Sequence, residues 1–507
     1  MSRTVREFWE ARVDAAPDAP FLVYGERTLS YGELDASVNR VAHGLAGAGV
    51  GRGDQVALLL ESDLPILRLE LALQKLGAVM VPMIPTYTRD DISYVLGHCG
   101  ATRLITDANG WATIERGGGL DVTHDVRVHL DTAEFDTDNE KRPPAIDLDP
   151  HEPMAIMYTS GSTGRPKGVM QPSCGFESAG RAIADRLNAN SEDNWFSALP
   201  LFHTAATHMI LAPAIASGAR FTLIPRFSRD RFWEQVRASG GTLALLMPAQ
   251  LSILMTAPPG DEDRDHTMRV IFTHIRPEAF VERFGVDVCT TWAMTETSGM
   301  GTLMPPGATD YAPKLIGKPM PDDAEIKVVN AFGEPVEPGA LGELCFRHPD
   351  VMLSYYEDAE NTAATLHDGW VHSGDLCSMD EQGRAYFHGR LKHVIKRGGE
   401  NIAGEEVEFT IMAHPAVEEC IVVGVEDPIY TEEVHASVLV RAGQDLTEAD
   451  VIEWCAQRLS GWKVPRYVQL RSTEFPKLAN GKTNRREIKA AVDPEAAWDR
   501  RGETART

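Results

Sequence analysis

The sequence lacks any long apolar run. No stretch reaches the roughly 18 apolar residues that a membrane-spanning helix needs. Residues 1–14, MSRTVREFWEARVD, also lack the continuous apolar core of a signal peptide. These two absences lead us to expect a cytoplasmic protein.

Cysteine is scarce and widely spaced. The chain has seven cysteines among 507 residues, and no two of them form a Cys-x-x-Cys pair. An odd number of scattered cysteines argues against a disulfide framework and against a cysteine-based metal site. We therefore expect reduced thiols that are mostly buried.

Basic residues are outnumbered by acidic ones. Lys and Arg total 49, Asp and Glu total 74, and the formal net charge is −25. This balance argues against a general affinity for nucleic acids or anionic membranes, because both need basic partners. A local basic patch can still bind a nucleotide. The absence of a Gly-x-Ser-x-Gly elbow also argues against an ordinary α/β hydrolase.

Short apolar runs alternate with helical patterns along most of the chain. Residues 55–62 and 78–85 have the pattern of buried strands, and residues 64–77 between them have helical spacing. Such alternation predicts an α/β fold with largely parallel sheet. After about residue 323 the segments become shorter and alternate in polarity, which predicts a smaller β-rich region. The sequence after residues 389–399 predicts a small α+β domain.

The strongest local motif is YTSGSTGRPKG, residues 158–168, which follows an apolar strand. A loop of this composition offers backbone N–H groups and hydroxyls to phosphate oxygens, and Lys167 adds a cation. The strict GxxxxGK[ST] pattern is not met, and a solvated turn is the alternative interpretation. The candidate phosphate ligands are Thr159, Ser160, Gly161, Ser162, Thr163, Gly164 and Lys167.

This loop resembles the phosphate loop of the adenylate-forming superfamily. That superfamily comprises acyl- and aryl-CoA synthetases, luciferases and the adenylation domains of peptide synthetases. Further motifs follow in the family's order, and the resemblance covers roughly residues 5–490. It implies an α/β protein with a large N-terminal domain of stacked α/β subdomains plus a β-rich region (1–390), and a small, mobile α+β C-terminal domain (391–507).

Two motifs in the predicted large domain concern the phosphates and the acid. WAMTE, residues 292–296, resembles the family's Tyr-Gly-x-Thr-Glu motif. By that match Thr295 contacts the α-phosphate, Glu296 holds Mg²⁺ against the ATP phosphates, and Trp292 stacks on adenine. PLFH, residues 200–203, resembles the motif at the mouth of the acyl pocket, so His203 is a candidate for shaping the acid site.

The motifs near the domain junction concern the nucleoside. HSGDL, residues 372–376, matches the family segment whose aspartate binds both ribose hydroxyls, which assigns that role to Asp375. GRLK, residues 389–392, resembles the junction itself. Arg390 would contact phosphate or ribose, and Lys392 would be the hinge.

Two motifs of the predicted small domain serve the two half-reactions. KRGGEN, residues 396–401, resembles the loop on the CoA side, where Gly398 and Gly399 would leave room for the pantetheine arm. PKLANGK, residues 476–482, resembles the family's catalytic lysine motif. Lys482 would bridge the acid's carboxylate and the α-phosphate.

Taken together, the resemblance implies an AMP-forming acid–thiol ligase that uses ATP, Mg²⁺ and coenzyme A. The acid would attack the α-phosphorus to give acyl-AMP and pyrophosphate, and the small domain would then rotate so that the thiol can take the acyl group. No protein nucleophile is needed, because positioning and charge stabilisation supply the catalysis.

The chain departs from the family upstream of the Thr-Glu motif. Residues 272–277, FTHIRP, are shorter than the usual Gly-Gly-Ala-Pro-like loop, as in the carnitine/crotonobetaine-CoA ligase-like subgroup. This places His274 and Arg276 near the acid or the adenine. Arg276 would pair with a second carboxylate of the substrate, or else would cap a helix or face solvent. The candidate pocket segments suit a small-to-medium acid with some polarity.

Other functions use the same nucleotide motifs. The acceptor could be a carrier-protein thiol or an amine, or the enzyme could activate nitrite for diazotisation of an aryl amine. An inactive nucleotide-binding scaffold is a third hypothesis, which the complete set of charged motif residues argues against. A basic phosphate site around residues 396–401 favours CoA. A homodimer is the expected assembly.

Overall fold

The computed structural model describes residues 2–61, 63–159, 166–398, 400–478, 482–494 and 496–501. The chain forms two compact units. The N-terminal unit comprises Met1–Ile326, Cys345–His372 and Gly383–Ala385, and the C-terminal unit comprises Lys327–Leu344, Ser373–Gln382 and Tyr386–Thr507. The sequence analysis predicted two functional domains, residues 1–390 and 391–507, and this division stays a prediction.

Most helices belong to the N-terminal unit. They are α1 Val5–Ala15, α2 Tyr31–Gly47, α3 Leu64–Lys75, α4 Arg89–Cys99, α5 Ala108–Arg116, α6 Ser173–Arg186, α7 Thr204–Ala206, α8 Ala212–Ser217, α9 Phe232–Ser239, α10 Pro248–Met255, α11 Glu278–Phe284 and α12 Ala359–Thr365. Shorter helical turns cover Thr132–Phe135 and Asp261–Arg264, and a π-helical turn covers Thr207–Leu211 between α7 and α8.

The strands before residue 391 follow the alternation seen in the sequence. They are β1 Pro20–Tyr24, β2 Arg27–Ser30, β3 Gln55–Leu59, β4 Val79–Pro82, β5 Arg103–Thr106, β6 Arg127–His129, β7 Pro153–Thr159, β8 Lys167–Pro172, β9 Asn194–Ser197, β10 Arg220–Leu223, β11 Leu243–Leu245, β12 Val270–Thr273, β13 Asp287–Ala293, β14 Gly301–Leu303, β15 Leu315–Met320, β16 Glu325–Val329, β17 Gly342–Arg347, β18 Ser354–Tyr355, β19 Leu366–His367, β20 Trp370–Met379 and β21 Ala385–Arg390.

The predicted strand–helix–strand unit at residues 55–85 is confirmed. It forms β3, α3 and β4, and β3 and β4 pair in parallel. Helix α3 begins where the side chain of Asp63 accepts a hydrogen bond from the N–H of Leu64, 2.6 Å away, and a proline lies in its first turn. Both features favour a helix start, because the first turn has unpaired N–H groups and proline has none to lose.

Two sheets organise the N-terminal unit. The smaller sheet has the order β18-β8-β7-β4-β3-β5-β6, and its five strands β7, β4, β3, β5 and β6 run parallel to one another. Within this unit the larger sheet runs in the order β15-β14-β13-β12-β11-β9-β10-β1-β2, with a parallel centre. Strands β7 and β8 pair antiparallel with Thr159 opposite Lys167, so they form the two arms that flank the phosphate loop.

One apolar core connects both sheets with the helices α1, α2, α3, α6 and α8. It includes Val56 and Leu58 of β3 as well as Trp195 of β9 and Phe221 of β10. A second core covers the other face of the larger sheet, where α9, α10 and α11 pack. These helix layers on parallel strands are the arrangement that the alternating sequence pattern predicts.

The C-terminal unit contains an α+β region after residue 390. A short 3₁₀ turn covers Leu391–His393, and the remaining elements are β22 Val394–Arg397, β23 Glu400–Ala403, α13 Gly404–Met412, β24 Val417–Asp427, β25 Thr431–Val440, α14 Glu448–Ala456, β26 Tyr467–Arg471, α15 Arg485–Ala491 and β27 Trp498–Asp499. Its sheet has the order β23-β22-β25-β26-β27, and β24 also pairs with β25. Apolar residues cover both faces, as the α+β prediction requires.

Each unit encloses a histidine completely. His208 lies in the π-helical turn of the N-terminal unit, and His435 lies on β25 of the C-terminal unit; both side chains are 0 % exposed. Burial lowers the pKa of His208 to about 3 and that of His435 to about 4, because an apolar interior disfavours the charged imidazolium. Both imidazoles are therefore neutral at neutral pH.

Two further sequence predictions concern the cysteines and the membrane. All seven cysteines are free and buried, as expected. Across the described residues, we find no helix whose length and apolar character would let it cross a bilayer.

Candidate functional site

The phosphate loop can be located only by its two arms. Residues 160–165 lie outside the described residues, so the positions of Ser160, Gly161, Ser162, Thr163 and Gly164 stay predictions. Thr159 ends β7 and Lys167 begins β8, and the two residues pair across the hairpin. The ends of the loop are thus held together, as a loop that binds one phosphate group requires.

Lys167 is positioned by two neighbours that the sequence did not indicate. Its Nζ donates a hydrogen bond to Oδ1 of Asn361 in α12 and lies 4.9 Å from the centre of the Tyr355 ring. The amide of Asn361 is itself oriented, because its Nδ2 donates to Oδ2 of Asp358, 2.7 Å away. The ammonium group is therefore held close to the loop's exit by an oriented acceptor and an aromatic ring.

Tyr355 also contacts the predicted magnesium ligand. Its hydroxyl donates to Oε1 of Glu296 over 2.7 Å, and the Glu296 side chain is buried. Burial, and then the neighbouring carboxylate of Glu296, raise the pKa of Tyr355, so the phenol keeps its proton and acts as the donor. Lys167 and Glu296 thus contact the same tyrosine, one at its ring and the other at its hydroxyl.

The carboxylate of Glu296 fits a magnesium ion. One oxygen accepts from Tyr355, and a carboxylate has a second oxygen for a cation. Mg²⁺ is usually held by one or two carboxylates together with substrate phosphates rather than by a protein cage.

Gln171 connects the phosphate hairpin to the Thr-Glu motif. It lies on β8, its side chain is 0 % exposed, and its Nε2 donates to the backbone carbonyl of Thr295 over 2.7 Å. The same nitrogen lies 3.5 Å from Oγ1 of Thr204, the residue after His203. One buried amide therefore fixes three motifs relative to one another, although the sequence analysis did not single it out.

We expect that Gln171→Met reduces the rate of pyrophosphate formation by roughly tenfold to a hundredfold, since small displacements of reacting groups cost that much. Methionine preserves the length of the side chain but cannot donate to the carbonyl of Thr295. Stopped-flow or coupled pyrophosphate assays with saturating Mg-ATP measure the effect.

The matched control is Gln74→Met. Gln74 is also buried and donates Nε2 to a backbone carbonyl, that of Met154, over 3.1 Å. Each substitution removes one buried hydrogen bond to a backbone carbonyl, so each should cost about 0.5–1.5 kcal/mol of stability. If both variants lost the same rate, the effect of Gln171→Met would be due to general destabilisation and not to the position of Thr295.

The residues predicted to shape the acid site lie in two connecting segments, one before α7 and one between β12 and α11. His203 directly precedes α7, and its ring packs against Phe202 with the centres 4.8 Å apart. His274 follows β12 and is exposed, and its Nδ1 lies 3.1 Å from the carbonyl of Thr291. Because a carbonyl only accepts, this Nδ1 carries the proton.

Arg276 and Trp292 are held by the protein itself. The guanidinium of Arg276 donates to Oδ1 of Asp287 at 2.9 Å and to the carbonyl of Val288 at 2.6 Å, and it stacks over Tyr311. Such contacts compete with a substrate carboxylate. The side chain of Trp292 is 4 % exposed, so an adenine could reach only a small part of it.

The predicted nucleoside ligands lie side by side in the C-terminal unit. Oδ1 of Asp375 is 2.8 Å from Nε of Arg390, and the Asp375 side chain is 1 % exposed. Arg390 also donates to the carbonyl of Ser373 over 3.2 Å. The hydroxyl of Ser373 accepts from the backbone N–H of Asp375. The ion pair orients the two side chains, and Ser373 holds the backbone beside them.

The predicted hinge follows directly. Lys392 lies in the 3₁₀ turn Leu391–His393, and burial together with the guanidinium groups of Arg390 and Arg485 lowers the pKa of this lysine. Gly389 before it has φ +144°, and a Cβ there would come within 2.5 Å of the Glu405 carboxylate. Glycine is therefore required where the chain enters the turn.

The CoA-side loop and the catalytic lysine are only partly described. Gly399 and residues 479–481 lie outside the described residues. Gly398 has φ +59° and donates its N–H to the carbonyl of Tyr430 over 2.9 Å. Lys482 is exposed, and its carbonyl accepts from the N–H of Leu478 over 2.7 Å.

The base of the lysine motif is anchored by a buried ion pair. Arg485 begins α15 and pairs with the carboxylate of Glu408, which is only 4 % exposed. Glu408 also accepts from the N–H of Val422 over 2.6 Å. Burial raises the pKa of Glu408 to about 7 although Arg485 opposes the shift. This pair fixes the chain three residues after Lys482.

Two cavities lie near the ends of strands in the N-terminal unit. A cavity of about 70 Å³ adjoins Lys167 and is also lined by Tyr94, His98 and Tyr356. A larger cavity of about 400 Å³ lies at the carboxyl ends of β3 and β5, and none of the predicted site residues lines it.

Comparison with protein families gives two matches. Residues 9–356 match the model of the AMP-binding enzyme family, and residues 406–482 match the model of the AMP-binding enzyme C-terminal domain. Together they cover the phosphate, Thr-Glu and lysine motifs.

Comparison with individual proteins agrees with these matches. The chain is 30% identical to a crotonobetaine/carnitine–CoA ligase of Salmonella arizonae, over 96% of this chain and 98% of that protein. Among solved structures, it is similar to the o-succinylbenzoate-CoA synthetase of Bacillus subtilis in complex with its acyl-adenylate intermediate (TM-score 0.84, 26% identity, 97% and 99% of the two chains). A structure of the same synthetase with ATP and a magnesium ion has a TM-score of 0.83 and 26% identity, over 96% and 100%.

Proposed function

The chain belongs to the AMP-binding enzyme family, and from this premise we propose that it is an AMP-forming acid–CoA ligase. In the first half-reaction a carboxylate oxygen attacks the α-phosphorus of ATP, and pyrophosphate leaves. In the second, the thiol of CoA attacks the acyl carbon, its proton goes to solvent, and AMP leaves.

The observation that carries this proposal is the convergence of Lys167 and Glu296 on Tyr355. A cation and a metal-binding carboxylate next to the phosphate loop are the groups that a magnesium–triphosphate complex requires. Bound Mg²⁺ would supply charge neutralisation at Glu296. Lys167 binds phosphate oxygens, and Gln171 positions the backbone of Thr295, the residue that we assign to the α-phosphate.

In the C-terminal unit, we assign the ribose to Asp375. Arg390, fixed beside it at 2.8 Å, orients that carboxylate and is available to a phosphate or ribose oxygen through its exposed side. Lys482 neutralises the acid's carboxylate and the α-phosphate as they approach. Two anions that repel in water thus meet in a site where positive charge is already placed.

For the acid, we propose that His203 and His274 contribute and that Arg276 does not. Both histidines follow elements of the larger sheet, whereas the guanidinium of Arg276 is already bound by Asp287 and Val288. A substrate with a second carboxylate would have to displace that ion pair. This favours a small-to-medium acid with a single carboxylate.

Four finer assignments are part of the same proposal. The functional domains are residues 1–390 and 391–507, Lys392 is the hinge between the two half-reactions, and Gly398 and Gly399 face CoA. We also propose that the enzyme works in the cytoplasm, where ATP and CoA are available, and that it forms a homodimer.

The test is pyrophosphate release with Mg-ATP across a panel of aliphatic acids, aromatic acids and nitrite, each with and without CoA. We expect release with at least one acid, faster turnover when CoA is added, and a thioester product identified by mass spectrometry. The expected acid has one carboxylate.

Two outcomes would change the assignment. Release that CoA does not accelerate, with no thioester, would point to another acceptor or to nitrite activation. If no acid caused pyrophosphate release although ATP still bound, the proposal that the protein is an enzyme would be contradicted.

A further inference from the structure

Three side chains with metal-binding atoms converge in the N-terminal unit, outside the site described above. They are His151, Cys174 and Asp350, and their ligand atoms all lie within 4.8 Å of one another. Nε2 of His151 is 3.3 Å from Oδ1 of Asp350. The residues come from the segment before β7, the first turn of α6 and the connection between β17 and β18, so the fold alone brings them together.

Two of the three groups are oriented by a second residue. Nδ1 of His151, the nitrogen that does not face Asp350, lies 3.4 Å from Oδ1 of Asp149. The other oxygen of Asp350 accepts a hydrogen bond from the hydroxyl of Ser178, 2.5 Å away. Metal-binding histidines and carboxylates typically have such partners, because the partner fixes the orientation of the ligand atom.

The ligand set and its spacing select the metal. A thiolate, an imidazole and a carboxylate suit Zn²⁺, whereas Mg²⁺ and Ca²⁺ prefer oxygen ligands alone. Zinc bond lengths of about 2.0–2.3 Å in a tetrahedron place neighbouring ligand atoms about 3.3–3.6 Å apart. The separation of 3.3 Å between His151 and Asp350 agrees with this geometry.

Solvent access leaves room for a fourth ligand. Cys174 and Asp350 are almost completely buried, whereas the side chain of His151 is 51 % exposed. The metal can therefore enter from the side of His151, and a water molecule can complete the tetrahedron there.

We propose that His151, Cys174 and Asp350 form a zinc site. On binding, the Sγ–H bond of Cys174 breaks, its proton leaves to solvent, and the thiolate binds Zn²⁺ without any change in oxidation state. The scattered cysteine spacing gave no sign of this site, because its three ligands lie in segments that are distant in sequence.

The surrounding backbone shows what the metal would stabilise. The N–H of Cys174 donates to the carbonyl of Pro150 over 2.8 Å, and the N–H of Met352 donates to the carbonyl of Glu296 over 2.9 Å. The site therefore joins the entrance of β7, the chain just after β8 and the segment that supports Glu296. Zinc would cross-link the base of the phosphate-loop hairpin without touching the nucleotide.

The experiment uses the full chain, freed of metal by a chelator and kept in excess Mg²⁺ so that hard-ligand sites are filled. Titration with Co²⁺, a spectroscopic substitute for Zn²⁺, should give a thiolate-to-cobalt charge-transfer absorption that saturates at one ion per chain and disappears when Zn²⁺ is added. Cys174→Ser should lack this absorption, and Cys99→Ser, which alters a buried thiol elsewhere, should keep it.

Cys174→Ser could lose the absorption simply because it does not fold, so a second variant outside the core is needed. Asp149→Ala changes an exposed residue and keeps all three metal ligands, but it removes the acceptor that orients His151. It should weaken metal affinity about tenfold to a hundredfold, as loss of an orienting partner does. No charge-transfer absorption in the parent protein, or the same absorption in Cys174→Ser, would overturn the zinc site. An unchanged affinity in Asp149→Ala would also count against it.

Discussion

Replacing Lys482 with alanine is expected to abolish acid activation while sparing thiol transfer. The ammonium group is proposed to neutralise two anions as they meet, so its removal acts on the first transition state only. Loss of one such stabilising group typically costs about a hundredfold to a thousandfold in rate. Pyrophosphate release measures the first half-reaction, and thioester formation from supplied acyl-AMP and CoA measures the second.

Lys489→Ala is the matched control. Lys489 is also exposed, lies in α15 just after the lysine motif, and makes an ion pair with Glu432 at 3.5 Å. It should retain both activities. If Lys482→Ala slowed both half-reactions to the same extent, the proposal that Lys482 acts only in the first would be wrong.

Replacing Asp375 with alanine is expected to weaken ATP binding and to remove the preference for a complete ribose. Hydrogen bonds to a charged acceptor contribute about 1.5–3 kcal/mol each, so affinity should fall roughly tenfold to a hundredfold or more. The decisive comparison is ATP against 2′-deoxy-ATP, measured by calorimetry. The parent protein should discriminate between them, and the variant should bind both equally weakly.

Asp427→Ala separates the ribose role from the structural role of the ion pair. Asp427 is similarly buried and pairs with Arg466 in the same unit, at 2.7 Å. This variant should lose stability, yet it should still prefer ATP. If Asp375→Ala continued to discriminate between the two nucleotides, the ribose assignment would be wrong.

Most of the fold could be predicted because it depends on local patterns. The apolar runs at residues 55–62 and 78–85 and the helical spacing between them appear in the structure as β3, β4 and α3. The α/β class and the membership of the adenylate-forming superfamily are confirmed as well. Periodicity and turn residues carry this information within a dozen positions.

The groups that position the site could not be predicted in the same way. Tyr355 contacts Glu296 across 59 positions, and Asn361 contacts Lys167 across 194. No local pattern marks such partners, because each contact depends on how distant segments pack. Gln171 lay next to the phosphate motif in the sequence, but only the fold shows that its amide reaches the carbonyl of Thr295.

The roles assigned to single residues from the resemblance stay predictions. The structure places Asp375 beside Arg390 and Glu296 near Lys167, which supports those assignments. It also gives Arg276 protein partners, so the proposed acid site contains His203 and His274 but not Arg276. Charge pairing of this kind depends on tertiary distances that a linear motif does not contain.

The enclosed histidines have a consequence for the proton balance of unfolding. His208 and His435 stay neutral inside the fold, yet each accepts a proton once exposed to water below its ordinary pKa of about 6.5. Their contribution to stability is therefore complete above that pH. It is lost as the pH falls toward about 4 for His435 and about 3 for His208, since the unfolded chain then binds more protons than the folded one. Mild acid would act on both units at once, and unfolding there would take up protons from the buffer.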